Sequence, residues 1–279
     1  MKCCICSAVR NSEKYLDKVF LNMEKIGGLF EEYKIIMVYD KSKDKTLEKL
    51  KDYKEKNKNF NYVENRNELT KHRTWNIANA RNICLSIIRE NYIDYNYFIM
   101  MDTDDVCSEN IKIDILKYYL ENEEIKDKWD GLTFNKRAYY DLWALSFYPY
   151  IHSVFHFLPK GVDISKYLNM RTGEYYSVGL VSRGLEELLK KNKGNKLIKV
   201  LSAFNGFGIY KMEKYINCEY DGKPRLDMIP KPILDEYVSK VIYVNPGIYR
   251  YQDCEHRNFH YMGLLKNRAN VYISPEILF

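Results

Sequence analysis

Residues 97–105 read Tyr97-Phe98-Ile99-Met100-Met101-Asp102-Thr103-Asp104-Asp105. The apolar run is typical of a buried strand, and this strand is expected to end at Asp102. Carboxylates two positions apart, just beyond such a strand, can converge on one hard cation such as Mg²⁺ or Mn²⁺. The pattern predicts a metal site at a strand end. The alternative is that an aspartate here only caps a helix, as Asp often does.

The chain before this stretch alternates between strand and helix patterns. Strands are predicted at residues 3–9, 34–39 and 59–64, with helices from 11 or 12 to 27, 44–57 and 74–90. Such alternation implies right-handed crossovers and a mostly parallel sheet, whose ligands bind beyond the carboxyl ends of the strands. Polar residues cluster at those predicted ends, at Arg10, Asp40 and the aspartates after residue 101. The sequence therefore predicts an α/β fold with a ligand site at that edge.

The pattern is less regular after residue 105. Helices are expected at residues 110–122 and 183–193, and strands at 129–135 and 197–203. No repeat or low-complexity linker divides the chain. We predict a single domain over residues 1–279, with a nucleotide-binding half at 1–105 and an irregular acceptor-binding half at 106–279.

Composition excludes several classes of protein. Of 279 residues, 46% are hydrophobic and 29% charged, which is ordinary for a globular chain. The net charge of +6 is dispersed in short mixed clusters, so we expect no nucleic-acid partner. The chain contains no apolar run of about 18 residues, so we expect no transmembrane helix, and no signal peptide is recognisable. The seven cysteines form no paired C-x-x-C arrangement at zinc spacing, which predicts buried, reduced thiols and a cytoplasmic location.

Three segments of the first half resemble GT-A glycosyltransferases of family 2. They are Ser7-Ala8-Val9-Arg10-Asn11, the segment 38–46 that contains Asp40-Lys41-Ser42-Lys43-Asp44, and residues 73–82, which end Ala80-Arg81-Asn82. The resemblance implies a GT-A fold and a set of nucleotide-binding residues: Ala8, Val9, Arg10, Asp40, Arg73, Arg81, Asp102 and Thr103. Arginine suits phosphate because its planar fork matches the oxygens. Arg81 can instead pair with a carboxylate on a helix face.

The C-terminal segment Asp253-Cys254-Glu255-His256 with Phe259-His260 resembles the place where family 2 enzymes carry an acidic pair. The resemblance implies that this pair supplies the general base, with Glu255 the first candidate and Asp253 the second. The chain has Glu-His where the family usually has Glu-Asp. Many GT-A enzymes also recruit a C-terminal histidine to the metal, which implies Asp102, Asp104 and either His256 or His260 as ligands. The alternative is a purely structural cluster.

Two further segments resemble the acceptor side of such enzymes. Residues 139–145, Tyr-Tyr-Asp-Leu-Trp-Ala-Leu, are similar to a block in some eukaryotic and large-virus members, and their aromatic rings would form either a sugar-stacking surface or core. Residues 204–210 match a glycine-bearing segment where backbone amides approach a sugar closely. If the gene belongs to a large DNA virus, the protein is a candidate for association with the virion.

The resemblance implies a metal-dependent glycosyltransferase that uses Mn²⁺ or Mg²⁺. The donor would be a nucleotide sugar, with UDP favoured over GDP, and the acceptor a hydroxyl of a glycan, glycoprotein or glycolipid, with inversion as the default. A sugar-phosphate nucleotidylyltransferase is the first alternative, although the glycine-rich first loop of that class is absent. A carbohydrate-binding GT-A module without catalysis is the second, and the presence of both Asp102 and Asp104 opposes it.

Overall fold

The computed structural model describes residues 1–137, 139–153, 155–161, 172–192, 197–243 and 250–279. Eight strands form the main sheet: β1 Lys2–Val9, β2 Glu32–Tyr39, β3 Phe60–Glu64, β4 Tyr97–Met101, β5 Gly131–Asn135, β7 Ile198–Val200, β8 Phe207–Lys211 and β10 Val271–Ile277. Strands β6 Phe157–Pro159 and β9 Val241–Tyr243 pair as a small antiparallel sheet. The α-helices are α1 Leu16–Gly27, α2 Thr46–Lys56, α3 Arg73–Asn91, α4 Ile113–Glu121, α5 Thr172–Lys191, α6 Met212–Tyr215, α7 Lys231–Lys240 and α8 Glu255–Asn267.

The main sheet has the strand order β3-β2-β1-β4-β8-β5-β10-β7. The first four strands are mutually parallel. Strand β8 runs antiparallel between β4 and β5, whereas β10 is parallel to β5. The predicted α/β fold, with a mostly parallel sheet flanked by helices, is confirmed.

The two faces of the sheet bury separate apolar layers. On β1, Cys4 and Cys6 face the layer that includes α3, whereas Cys3 and Ile5 face the layer that includes α1. This alternation follows from the two-residue period of a strand. All seven cysteines are buried with free thiols. Apolar burial on both faces is the main stabilising contribution, at about 25 cal/mol per Å².

The predicted elements of the first half are all present. Strand β4 has the predicted bounds, and the other strands and helices of this half agree within a few residues, apart from the start of α1. That helix begins at Leu16, later than the start at residue 11 or 12 that the sequence predicts. In the second half, the predicted helix at 183–193 is part of the longer α5, and Lys193 lies outside the described residues. Strand β8, helix α8 and strand β10 were not predicted.

The parallel arrangement brings the carboxyl ends of β1, β2 and β4 to one edge. The hydroxyl of Ser7 donates to the carbonyl of Met101, which ties the end of β1 to the end of β4. The amide of Asp102 donates to the carbonyl of Gly206 over 2.9 Å, just before β8. Within the described ranges, no helix is both long and apolar enough to cross a membrane.

Candidate active site

The loops that follow β1 and β2 are locked together by hydrogen bonds. Asn11 adopts a left-handed backbone with φ of 51°, which asparagine tolerates better than most residues. The backbone amide of Asn11 donates to the Ser42 hydroxyl over 2.9 Å, and the backbone amide of Ser12 donates to the Thr46 hydroxyl over 2.8 Å. The segment Ser42-Lys43-Asp44-Lys45-Thr46 thus clamps the two loops together, which explains why α1 starts later than predicted.

A cavity of about 350 Å³ opens beside this clamp, at the ends of β1 and β2. Its walls include Ala8, Val9, Arg10, Asp40 and Arg73. Asp40 is buried, and its Oδ1 accepts from the Asn65 amide over 2.8 Å. Burial raises the pKa of Asp40, against the effect of the Asn65 bond and nearby Arg10.

A second cavity of about 220 Å³ adjoins the first and shares the walls made by Arg10, Arg73 and Ile77. The two form one continuous cleft. The further residues that line the second cavity are Ser12, Thr74, Arg81, Asp102, Thr103, Asp104, Tyr140, Asp141, Trp143, Phe204, Cys254, Glu255 and His256. The side chains of Arg10 and Arg73 are exposed and form no ion pair with the described carboxylates. The cleft therefore offers two free cations for an anionic ligand.

Asp102 and Asp104 lie at the centre of the cleft. Asp102 is partly buried, and its Oδ1 accepts from the Arg81 guanidinium over 2.9 Å. Burial raises the pKa of Asp102 to about 7, and Asp104, Asp141 and Glu255 add to the rise while Arg81 opposes it. Each of these carboxylates makes ionisation of its neighbours less favourable, because the site has a surplus of negative charge.

Asp104 caps the short 3₁₀ helix Asp105–Cys107, because its Oδ1 accepts from the Val106 amide over 3.1 Å. The capping role considered from the sequence is therefore present at Asp104. It uses one carboxylate oxygen and leaves the other without a hydrogen-bond partner in the described part of the chain. The hydroxyl of Thr103 lies 2.9 Å from that of Ser12 and ties this loop to the loop after β1.

The two aspartates fit a Mg²⁺ or Mn²⁺ ion that also takes water and phosphate oxygens. Such ions are commonly held by one or two carboxylates together with the substrate. No cluster of three or more His, Cys, Asp or Glu side chains with metal-binding geometry occurs among the residues that the structure describes. Asp102 and Asp104 thus place two side chains with hard oxygen donors in the lining of the cleft.

Arg81 is buried at the back wall of the cleft. Its guanidinium contacts Glu255 and His256 through one terminal nitrogen and Asp102 through the other. It also lies over the ring of Phe204, 4.7 Å from the centroid. Burial opposes the positive charge, but Glu255 and Asp102 outweigh it and raise the pKa of Arg81. Arg81 therefore has the carboxylate partners considered as an alternative from the sequence, and both terminal nitrogens are engaged.

The C-terminal candidates divide into two groups. Glu255 and His256 line the cleft at the start of α8. Asp253 is completely buried, outside the cleft lining, and accepts from the Arg257 guanidinium over 2.9 Å. His260 is also completely buried, with Nδ1 2.9 Å from the Ser202 hydroxyl and Nε2 3.0 Å from the Tyr210 hydroxyl.

These contacts separate the structural residues from the accessible ones. Both ring nitrogens of His260 are used, so neither is available to a metal. Asp253 neutralises a buried arginine whose other nitrogens contact Leu145, Ser146 and Trp143. The structure therefore does not bring Asp253 or His260 to the site, because each serves as an internal hydrogen-bonding partner.

Asp141 was not among the candidates from the sequence, although it lines the cleft. It lies inside the aromatic block 139–145, which the sequence analysis interpreted by its rings and not by its single carboxylate. Its Oδ1 accepts from the Ala144 amide over 3.2 Å. Burial raises the pKa of Asp141 to about 6, and Glu255 adds to the rise. A lone acid within a block of apolar residues was the signal that could have identified it.

Comparison with known proteins identifies the family of the chain. The model of the family described as "Glycosyl transferase family 2" matches residues 4–149. A search of curated proteins gave no match. Solved structures that resemble the chain include S. aureus TarS, with 16% identity and a TM-score of 0.48, over 99% of this chain and 37% of TarS.

Two further solved structures carry ligands. S. aureus TarS 1-349 in complex with UDP-GlcNAc has 16% identity and a TM-score of 0.45, over 100% of this chain and 60% of that one. Glucosyl-3-phosphoglycerate synthase from Mycobacterium tuberculosis, in complex with Mn²⁺, UDP-glucose and phosphoglyceric acid, has 11% identity and a TM-score of 0.39, over 77% of this chain and 57% of that one. The chain thus spans less than two thirds of the length of each. The family match covers just over half of the chain, from β1 through β5 and the aromatic block 139–145, and the chain belongs to glycosyl transferase family 2.

Proposed function

We propose that the chain transfers a sugar from a nucleoside diphosphate sugar to an acceptor hydroxyl, with the help of Mn²⁺ or Mg²⁺. The observation that carries the proposal is the continuous cleft at the ends of β1, β2 and β4. It combines a nucleotide-sized cavity, the two unpaired cations Arg10 and Arg73, and the paired carboxylates Asp102 and Asp104. Membership of family 2 supports the same reaction class.

The cavity at the ends of β1 and β2 is the proposed site for the nucleoside. Asp40 is held by Asn65 and would accept from the base or ribose, while Ala8 and Val9 form the wall beside it. Arg10 and Arg73 lie between this cavity and the aspartates, where the diphosphate would connect the two. Each guanidinium can donate two parallel hydrogen bonds to phosphate oxygens.

Asp104 is the proposed direct metal ligand, and Asp102 the second ligand or a partner of the ribose. The ion would neutralise charge that develops on the diphosphate as the glycosidic bond breaks. Arg81 holds Asp102 in place and partly offsets its charge. Glu255 in turn neutralises Arg81, so the back wall of the cleft is fixed before any ligand binds.

The acceptor would enter on the side of Tyr140 and Trp143, which line the same cavity. Rings of this kind stack against sugar faces and exclude water. We retain transfer with inversion, in which the acceptor oxygen attacks the anomeric carbon opposite the diphosphate. We also retain a UDP-sugar as the favoured donor and a glycan, glycoprotein or glycolipid as the acceptor. The free, buried thiols support a reducing compartment such as the cytoplasm.

Thermal unfolding tests this function directly. The purified protein is heated with UDP, GDP, CMP or dTDP, each with and without Mn²⁺ or Mg²⁺. A ligand at about 100 times its Kd adds about 2.7 kcal/mol, or roughly 5–10 °C in Tm for a chain of this size. A shift that requires both one nucleotide and the metal supports the proposal and identifies the donor class. No shift with any nucleotide would instead favour a GT-A module without catalysis.

A second measurement separates glycosyl transfer from nucleotidyl transfer. A glycosyltransferase releases a nucleoside diphosphate from its donor, whereas a nucleotidylyltransferase releases pyrophosphate when given a nucleoside triphosphate and a sugar phosphate. Release of pyrophosphate without release of nucleoside diphosphate would replace the proposal with that alternative.

A further inference from the structure

The carboxylate of Glu255 is occupied in this structure. Its Oε1 contacts the Arg81 guanidinium, and both side chains are at most 6% exposed. A general base must lie within hydrogen-bond reach of the acceptor hydroxyl, and Oε1 of Glu255 already faces the Arg81 guanidinium. The pairing therefore suits Glu255 for holding Arg81 more than for proton transfer.

His256 also lines the cleft and is engaged through one ring nitrogen and one face of its ring. Its Nε2 contacts the same Arg81 guanidinium, and its ring stacks on Phe204 with centroids 3.6 Å apart. The ring is 1% exposed, and burial together with Arg81 lowers its pKa. A proton taken up by this imidazole would create a second buried cation beside Arg81.

Asp141 differs from both residues in its partners. It lines the same cavity and forms no ion pair with a described cation. The Ala144 amide donates to Oδ1 over 3.2 Å, and the Asn205 backbone also hydrogen-bonds to the carboxylate, so both of these partners are neutral groups. Burial raises the pKa of this carboxyl to about 6, close to the operating range of an efficient base.

The backbone around Asp141 is fixed by Asn205. The side-chain oxygen of Asn205 accepts from the Tyr140 amide over 3.3 Å, and its Nδ2 donates to the Phe134 carbonyl over 3.0 Å. Asn205 itself has a left-handed backbone, with φ of 57°, and is followed by Gly206. The glycine-bearing segment thus holds the carboxylate in place before an acceptor arrives.

We propose that Asp141 is the general base of the reaction and that Glu255 is a positioning residue that acts through Arg81. The inference rests on the proposed glycosyl transfer. The carboxylate of Asp141 takes the proton of the acceptor hydroxyl as that oxygen bonds to the anomeric carbon. The bond from the anomeric carbon to the diphosphate oxygen breaks, and its electron pair leaves with the nucleoside diphosphate. The proton then passes from Asp141 to solvent.

The test compares Asp141→Asn, Asp141→Ala and Glu255→Gln with the native chain and with Asp235→Asn, a control at an exposed acid on α7. UDP- and GDP-sugars are supplied with Mn²⁺ and a panel of glycan, glycoprotein and glycolipid acceptors, and release of nucleoside diphosphate is measured with and without sodium azide. Azide is an anionic nucleophile that needs no deprotonation and fits the space vacated in Asp141→Ala. The nucleotide-dependent shift in Tm reports folding and donor binding for every variant.

We expect both Asp141 variants to keep the nucleotide-dependent shift and to lose turnover by about 10²- to 10⁴-fold, the usual contribution of a general base. Azide should restore release at least about tenfold in Asp141→Ala and yield a glycosyl azide detectable by mass spectrometry. Glu255→Gln should lose activity without rescue by azide, because it disturbs Arg81 rather than proton transfer. Asp235→Asn should match the native chain.

Three outcomes would overturn the assignment. Native turnover in Asp141→Asn would show that no base acts there. Loss of turnover in Asp141→Ala without azide rescue would reduce Asp141 to a structural residue. Azide rescue of Glu255→Gln but not of Asp141→Ala would move the base to Glu255. A native chain that cleaves none of the donors would instead overturn the proposed function, and the base assignment with it.

Discussion

Arg81 and Glu255 form a buried ion pair that joins α3 to α8 across 174 positions of the chain. The same guanidinium holds Asp102 at the end of β4, so one side chain connects the proposed metal loop to the C-terminal helix. Burying such a pair removes water from both charged groups, which is unfavourable, and removing either partner leaves the other charge buried without compensation. Its role is to fix the relative position of three segments around the cleft.

Replacing Arg81 with Leu should strongly destabilise the fold. The change leaves Glu255 buried without a counter-charge, a situation that costs about 3–5 kcal/mol. The double variant Arg81→Leu/Glu255→Leu should be less destabilised than the sum of the two single variants, since no lone charge remains. Urea denaturation of all four proteins measures the coupling. Additive effects would show that the two side chains do not interact in solution.

Replacing Asp104 with Asn should remove the metal-dependent part of the nucleotide shift in Tm. The amide can still cap the helix Asp105–Cys107 through its oxygen, so the fold is preserved while the charged ligand is lost. Asp105→Asn is the matched control, because Asp105 is exposed and does not line the cleft. Equal nucleotide shifts with Mn²⁺ in the native chain and in Asp104→Asn would remove Asp104 from the metal site.

Replacing Arg10 or Arg73 with Ala should weaken binding of the nucleoside diphosphate. Hydrogen bonds to a charged group contribute about 1.5–3 kcal/mol, so each loss should raise Kd by roughly 10- to 100-fold. Neither arginine has an ion-pair partner among the described residues, and stability without ligand should change little. Isothermal titration with Mn²⁺ measures Kd, with Arg183→Ala on α5 as the exposed control. An unchanged Kd in both variants would place the diphosphate elsewhere.

The first half of the fold could be predicted because its signals are local. Apolar runs such as β4 and helical periods such as α3 define their own bounds, and the parallel arrangement follows from their alternation. The same argument placed Asp40 and Asp102 at one edge. Predicted strand ends therefore located the cleft before any contact was known.

The second half could not be predicted for the opposite reason. Strand β8 is short and contains Gly208, and it is formed by its position between β4 and β5 rather than by its own pattern. Helix α8 buries Glu255, Arg257 and His260, polar residues that a periodic pattern assigns to solvent. Glu255 is paired with Arg81, 174 positions away, and His260 with hydroxyls 58 and 50 positions away, and such pairings are not visible in a single sequence.

Hydrogen-bond partners also separate the predicted site residues that line the cleft from those that do not. Asp253 and Glu255 are two positions apart and look equivalent in the sequence, yet one binds Arg257 and the other Arg81. Asp141 was overlooked because its significance comes from the absence of a cationic partner in the described structure, not from a motif. Sequence spacing located the site, whereas tertiary contacts decide which of its acids remain available.

The pH dependence of turnover should show a fall on the acid side near pH 6 that belongs to Asp141. Burial and Glu255 raise the pKa of this carboxyl to about 6, while Arg81 opposes the rise. A base works only when deprotonated, so activity should be full well above that pH and fall tenfold per unit well below it. Turnover rates at a saturating donor concentration, measured from roughly pH 4.5 to 8.5, give the pH profile.

The metal concentration identifies the group responsible for this fall in activity. Protons compete with the ion for a metal-ligating carboxylate, so a fall due to Asp102 or Asp104 would move to lower pH as Mn²⁺ is raised. A fall due to Asp141 should stay in place, and it should be absent from the residual activity of Asp141→Asn. A limb that moves with Mn²⁺ would contradict the prediction, because proton uptake at the metal site would then limit the reaction.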